Sequence, residues 1–167
     1  MKKTVLLTVF AISSVFANRL MAQAGWFKQK IDETLSIKFP KEPVKAGTMF
    51  TVQGSDSIGY VANVIDLAAM GMDAEGLAKM APTEEFAEQF KTGLVSQSPG
   101  LELTKMEIGK WNNFVAYDIE GEQKDKGIKM YFKCIFISTK IYVLLAALPG
   151  KADVKNKDIY LSSIEAN

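Results

Sequence analysis

The stretch from Ile128 to Leu148 (IKMYFKCIFISTKIYVLLAAL) constrains the fold more than any other part of the chain. It reads as two β-strands meeting at Ser138-Thr139-Lys140. The two-residue period of a strand puts Ile128, Met130, Phe132, Cys134 and Phe136 on one side of the first strand. Lys129, Tyr131, Lys133, Ile135 and Ile137 fall on the other side, wet at one end and dry at the other. Ile141 to Leu148 is apolar throughout. A strand apolar on two sides needs cover on two sides, because apolar burial is the main favourable term in folding. The hairpin is therefore expected in the middle of a layered domain, and its lysines and strand periodicity argue against a membrane span.

The flanking chain supplies candidate layers. Gly25 to Thr34 reads as a short lead-in, and Leu35, Ile37 and Phe39 alternate with Ser36 and Lys38 as a half-buried strand ended by Pro40. Met49 to Gln53 and Ser57 to Asp66 read as two further strands around a turn at Gly54-Ser55-Asp56. Leu67 to Pro82 carries no clear period. Thr83 to Gln97 is expected as a helix: Thr83 caps it, Glu84 and Glu85 suit its positive end, and Phe86, Phe90 and Leu94 form an apolar stripe. Leu101 to Ile108 reads as a strand with broken alternation and Gly109-Lys110 as a tight turn. In the next strand, Trp111 to Glu120, a face is shared by Trp111, Val115, Tyr117 and Ile119. Gly121 to Gly127 is a polar turn. After the hairpin, Asp153 to Ala166 is expected as a closing helix with Val154, Tyr160, Leu161 and Ile164 inward. Strands in succession with short connections make an antiparallel meander, with one helix before it and one after. The expected class is α+β: an α/β/α sandwich on a central antiparallel sheet.

The first two dozen residues read as an address. Lys2 and Lys3 precede an uncharged, largely apolar run from Val5 to Phe16, and Ala22-Gln23-Ala24 has the small-x-small pattern of a cleavage site. Val15-Phe16-Ala17 is a competing site. Removal of residues 1–24 leaves a single domain at 25–167, exported to the periplasm or medium, with no cysteine after the apolar run to lipidate. Loss of Lys2, Lys3 and Arg19, with no acid in that segment, takes the formal charge from +1 to −2. Interspersed charges of that balance do not favour nucleic acid as a partner.

Histidine is absent and Cys134 is the single cysteine. That excludes Ser–His–Asp and Cys–His catalysis, HExxH zinc sites and an internal disulfide.

Several segments together carry a resemblance. They are LSIKFPKEP (Leu35–Pro43), YVANVIDL (Tyr60–Leu67), KMEIGKWNNFVAYDI (Lys105–Ile119), KIYVLLAALPG (Lys140–Gly150) and DIYLSSI (Asp158–Ile164). In this order the chain resembles the PsbP-like family, whose small exported bacterial members have no known role. The resemblance implies a non-enzymatic binding or assembly module. It transfers no site residue, because no position here matches a functional motif of the characterised members.

The chemistry-bearing residues have structural readings beside the functional ones. Cys134 sits between Phe132 and Phe136 in the strand pattern, as a packed thiol does, although an exposed one would be a nucleophile. Met70, Met72 and Met80 could offer thioethers to Cu(I), but no His or Cys accompanies them and methionine is a general gap-filler. Asp118 with Glu120, Glu84 with Glu88, and Glu122 with Asp125 in a turn are carboxylate pairs of the kind a histidine-free hydrolase would use, and equally of the kind any wet surface carries. Lys151, Lys155 and Lys157 are either a contact patch or a solvated helix face. The expected function is a non-enzymatic exported module with a protein partner and no cofactor or metal. The alternative is a carrier of a small apolar ligand held between sheet and helix. The contact surface expected for either is the wet side of the hairpin, at Lys129, Tyr131 and Lys133.

Overall fold

In the computed structural model, residues 25–150 and 152–167 are described; the expected leader at 1–24 lies outside them. The chain runs β1 (Phe27–Lys30), β2 (Leu35–Phe39), β3 (Val44–Ala46), β4 (Met49–Gln53), β5 (Gly59–Asp66), a 3-10 turn (Ala68–Met70), α1 (Ala74–Met80) and α2 (Glu84–Ser96). It continues through β6 (Glu102–Trp111), β7 (Phe114–Gln123), a second 3-10 turn (Lys124–Lys126), β8 (Ile128–Ile137), β9 (Lys140–Pro149), α3 (Val154–Ser162) and β10 (Glu165–Ala166). The class is α+β on antiparallel sheets. A seven-stranded sheet has the order β3-β4-β5-β9-β8-β7-β6, and a three-stranded sheet the order β1-β2-β10.

β8 and β9 form the expected hairpin at the centre of the large sheet, joined through Ser138 and Thr139. Its two faces enter two separate cores. Ile135, Ile137, Tyr142, Leu144 and Ala146 pack with Leu35, Ile37 and Phe39 of β2 and with Tyr160 of α3. Phe132, Cys134, Phe136 and Ile141 pack on the other side with Leu77 of α1, Ala87 of α2, and Tyr117 and Ile119 of β7. Phe90 of α2 meets Tyr117 edge-on at 5.6 Å and Phe136 at 5.9 Å. The Tyr117 hydroxyl donates to the Ala81 carbonyl and so ties the α1–α2 link to the sheet. α2 begins as its sequence implies: the Thr83 hydroxyl accepts from the Phe86 N–H.

The small sheet is locked on by its polar ends. Asp32 accepts from Lys140 Nζ at 2.8 Å, from the Tyr142 hydroxyl at 2.7 Å and from the Thr34 and Leu35 N–H groups at 2.8 and 3.2 Å. At the chain end, Asn167 donates to the Thr34 and Asp32 carbonyls and accepts from Ser36, while Glu165 pairs with Lys28 and Lys38 at 2.7 and 2.8 Å.

Several expectations are corrected. The lead-in contains a strand, β1, paired along β2 from Phe27↔Phe39 to Lys30↔Ser36. The turn between β6 and β7 is not Gly109-Lys110 but Asn112-Asn113, with Asn112 at φ 53°. A two-residue hairpin turn needs positive φ to match the strand twist, and Asn tolerates it better than Lys. Trp111 consequently ends β6, where it stacks on Phe114 at 6.4 Å and packs on the α3 side, opposite Val115, Tyr117 and Ile119. β7 runs on to Gln123, so Glu122 is a strand residue rather than a turn residue. The closing helix stops at Ser162; Val154 is half exposed, and Ile164 is buried from a turn before β10 pairs with β2. Leu67 to Pro82, patternless in sequence, folds as the 3-10 turn and α1.

Partial burial pushes the Asp32 carboxyl up, but the Lys140 ammonium, the Tyr142 hydroxyl and the two N–H groups outweigh it and hold the pKa at about 2. A folded-state pKa below the unfolded one stabilises the fold above about pH 4, and the contribution is lost as pH falls through the folded value. Asp32→Asn is therefore expected to lower stability by about 1 kcal/mol at neutral pH, after allowance for solvent screening. Denaturant midpoints of the two chains, measured across acid pH, should converge as the wild type approaches about pH 2.

Candidate functional site

Lys129, Tyr131 and Lys133 lie where the cover of α3 gives way to open sheet. On one flank each faces a buried β9 residue, in the pairs Lys129↔Leu148, Tyr131↔Ala146 and Lys133↔Leu144. On the other flank each faces an acid of β7, namely Glu122, Glu120 and Asp118. Two of the three already have intramolecular partners. Lys157 of α3 sits over the Tyr131 ring at 4.2 Å and pairs with Asp158 at 2.7 Å. Lys133 pairs with Asp118 at 2.6 Å and is largely buried. Lys129 is exposed. Beyond the seam, β6 adds Lys105 and Glu107, paired at 3.1 Å, and Glu102 opposite Glu122. That like-charged pair is relieved by Lys124, at 2.5 Å from Glu102 and 3.8 Å from Glu122. The expected contact surface is thus a charged half-face with several internal ion pairs and Lys129 exposed.

The opposite face of the sheet has the reverse character at its other end. The strand register draws one row of side chains from edge to edge: Val44, Thr51, Val61, Leu145, Phe132, Ile119 and Met106. Phe132 and Ile119 are buried beneath the helices, whereas Val44 and Val61 belong to neither core. On the same face Met49 and Ile65 are also outside both cores; Val44 is 71%, Met49 40% and Ile65 36% exposed. A groove of about 440 Å³ opens at this end, lined by Lys41, Glu42, Val44, Thr51, Val52, Gln53, Gly59, Tyr60 and Val61. Lys45, on edge strand β3, lies over the Phe50 ring at 5.2 Å. Val61 and Ile65 alternate with Tyr60, Ala62 and Val64 along β5, so the strand's period alone gives it a second, partly apolar face. What the sequence did not carry is that the helical layer ends before reaching them.

The chemical candidates separate. Cys134 is fully buried, and burial, with the Asp118 charge behind it, pushes its thiol up to about 12. Met70 is exposed while Met72 packs into the α1–α2 core. Asp118 and Glu120 share a strand face, but Asp118 is spent on Lys133. Lys155 is exposed on α3, and Lys151 lies outside the described residues. Among the described residues no group of three or more His, Cys, Asp or Glu is placed to hold a metal ion. No described helix is long and apolar enough to cross a membrane.

A second polar cluster went unnoticed in sequence. Asp56 accepts from the Tyr60 hydroxyl at 2.7 Å, from Asn156 of α3 at 2.8 Å and from the Ile58 N–H at 3.0 Å. Burial raises its pKa, but these donors outweigh that and lower it overall. Its chemistry is that of a clamp between the β4–β5 turn and α3.

No protein-family model matches the chain, and no curated protein matches it. A crystal structure of a protein from Bacteroides thetaiotaomicron VPI-5482 is similar at a TM-score of 0.46 and 11% identity, over 87% of this chain and 49% of that one. The chain spans about half the length of that protein.

A fully buried thiol with a raised pKa is inert. Cys134 is expected to stay unmodified by a thiol reagent in native buffer and to react at once in denaturant, so that its labelling rate follows unfolding. Stoichiometric labelling of the folded chain would show the thiol to be accessible.

Proposed function

We propose that this chain is an exported, non-enzymatic binding module of the PsbP-like kind, an α/β/α sandwich that docks a protein partner. The observation that carries this reading is the open apolar end of the sheet, at Val44, Met49, Val61 and Ile65. Exposed apolar side chains gathered on one half-face, here with Thr51 and Asn63 between them, are the kind of surface that marks an interaction site. The helices on both faces of the antiparallel sheet support the PsbP-like kinship, as does the run of segments from LSIKFPKEP to DIYLSSI. The absence of histidine supports a role without acid–base catalysis.

A carrier of a small apolar ligand is the second reading, favoured by the groove of about 440 Å³, which falls in the size range of ligand sites. Its lining is strand and loop, so such a ligand would lie on the sheet rather than between sheet and helix.

Photo-crosslinking in the producing cells separates the two. A crosslinker at Met49 or Ile65 should give one protein adduct of discrete mass, absent when the crosslinker sits at Lys126 and lost when Val61→Lys is added. Adducts of equal yield from all three positions would count against a docking surface here. A co-purified small molecule in native mass spectrometry, without a protein adduct, would favour the carrier. The same spectra test export, since the exported form is expected to begin at Gly25.

A further inference from the structure

β6 is the long edge of the seven-stranded sheet, ten residues against three for β3 at the other edge. The Trp111↔Phe114 pair closes a two-residue turn and so exchanges both ladder hydrogen bonds with its partner. By alternation, Met106, Ile108 and Lys110 turn their N–H and C=O groups away from β7, toward open solvent. Such an edge is a template for another strand unless something blunts it. At one end it is blunted: the register shifts between Leu103 and Lys105, which leaves Thr104 as a bulge. From Lys105 to Lys110 it is regular.

The charges along this stretch are antisymmetric. Lys105 and Glu107 flank Met106 and point to the same face, where they already pair at 3.1 Å. Reflection through Met106 exchanges a lysine for a glutamate.

We propose that β6 pairs with β6 of a second copy, antiparallel, about a two-fold axis through Met106. In that register each Lys105 lies directly across from Glu107 of the second copy. Met106 meets itself, and its outward N–H and C=O supply both hydrogen bonds of the central pair. Ile108, 40% exposed on the helix-covered face, comes to lie beside Thr104 of the second copy. Neighbouring registers fail on the same criteria. A centre at Lys105 or Glu107 sets like charges face to face and presents groups that β7 already uses. A centre at Ile108 satisfies the backbone but leaves no charge pair. The two large sheets become one, with the open apolar ends of β3–β5 at its outer extremities, so the dimer leaves the proposed docking surface free.

Sedimentation velocity on the chain as purified from cells tests this. The expected result is a monomer–dimer equilibrium with dimer prominent at about 100 µM. Lys105→Glu and Glu107→Lys should each weaken it at least tenfold, and the double exchange K105E/E107K should restore it, because reflection then pairs opposite charges again. Met106→Pro removes the outward N–H without touching the β7 ladder, and should give a monomer whose Cys134 remains protected from thiol reagents. A monomer at every concentration overturns the proposal. So does a dimer indifferent to the single reversals, or a double exchange that fails to recover association.

Discussion

Everything in this structure follows from a central hairpin that cannot be left uncovered on either side. Cys134 and Ile135 are neighbours in sequence, both fully buried, and they point into different cores. At about 25 cal/mol per Å² of apolar surface, exposing one face of β8 and β9 would cost more than a domain of this size has in net stability. The segments before and after the hairpin are therefore recruited as cover, whatever their own propensities. β9 helps by being small where its neighbours are large. Ala146 lies beside Tyr60, which leaves room for the Tyr60 and Tyr160 rings to meet edge-on at 5.0 Å.

The two covers are built differently. α1 and α2 pack by the ordinary rule, with an apolar stripe of phenylalanines against the sheet. α3 has one fully buried anchor, Tyr160. Its ring lies 5.3 Å from Phe39, and its hydroxyl donates to the Val61 carbonyl at 2.7 Å. The rest of its hold is polar. Asn156 bonds Asp56, Ser163 bonds the backbone of Lys38, and the chain then enters the small sheet through Glu165 and Asn167. The last dozen residues act as a strap rather than a stripe.

That difference explains what could be read in advance. Elements whose burial is written in their own periodicity were legible: β2, β5, β8, β9 and α2 agree with their patterns to within a residue or two. Elements held by distant partners were not. β1 has its apolar residues among charges and exists because β2 offers it an edge. The end of α3 was misplaced because Ile164 is buried from a turn, and no helical period marks that. The wet side of β8 was legible as wet. That Lys157 and Asp118 would engage Tyr131 and Lys133 was not, since both partners come from other elements.

The width of the sheet accounts for the surfaces that remain. A helix is about 10 Å across and strands lie about 4.8 Å apart, so each helix shields roughly two strands. Seven strands therefore outrun two short helices on one face, and α3 with the three-stranded sheet on the other. The two covers are offset to opposite ends, which leaves one half-face open on each side. At β6 and β7 the open half carries Lys105, Glu107, Asp118, Glu120 and Glu122; Lys105 pairs with Glu107 and Asp118 with Lys133 of β8, so this face is stable in contact with water. At β3 to β5 the open half carries Val44, Met49, Val61 and Ile65 with the uncharged Thr51, Gln53 and Asn63 between them, and Lys41 and Glu42 line the groove beside it. The same geometric shortfall is met by charge at one end and left unmet at the other, and the unmet end is where an interaction has most free energy to gain.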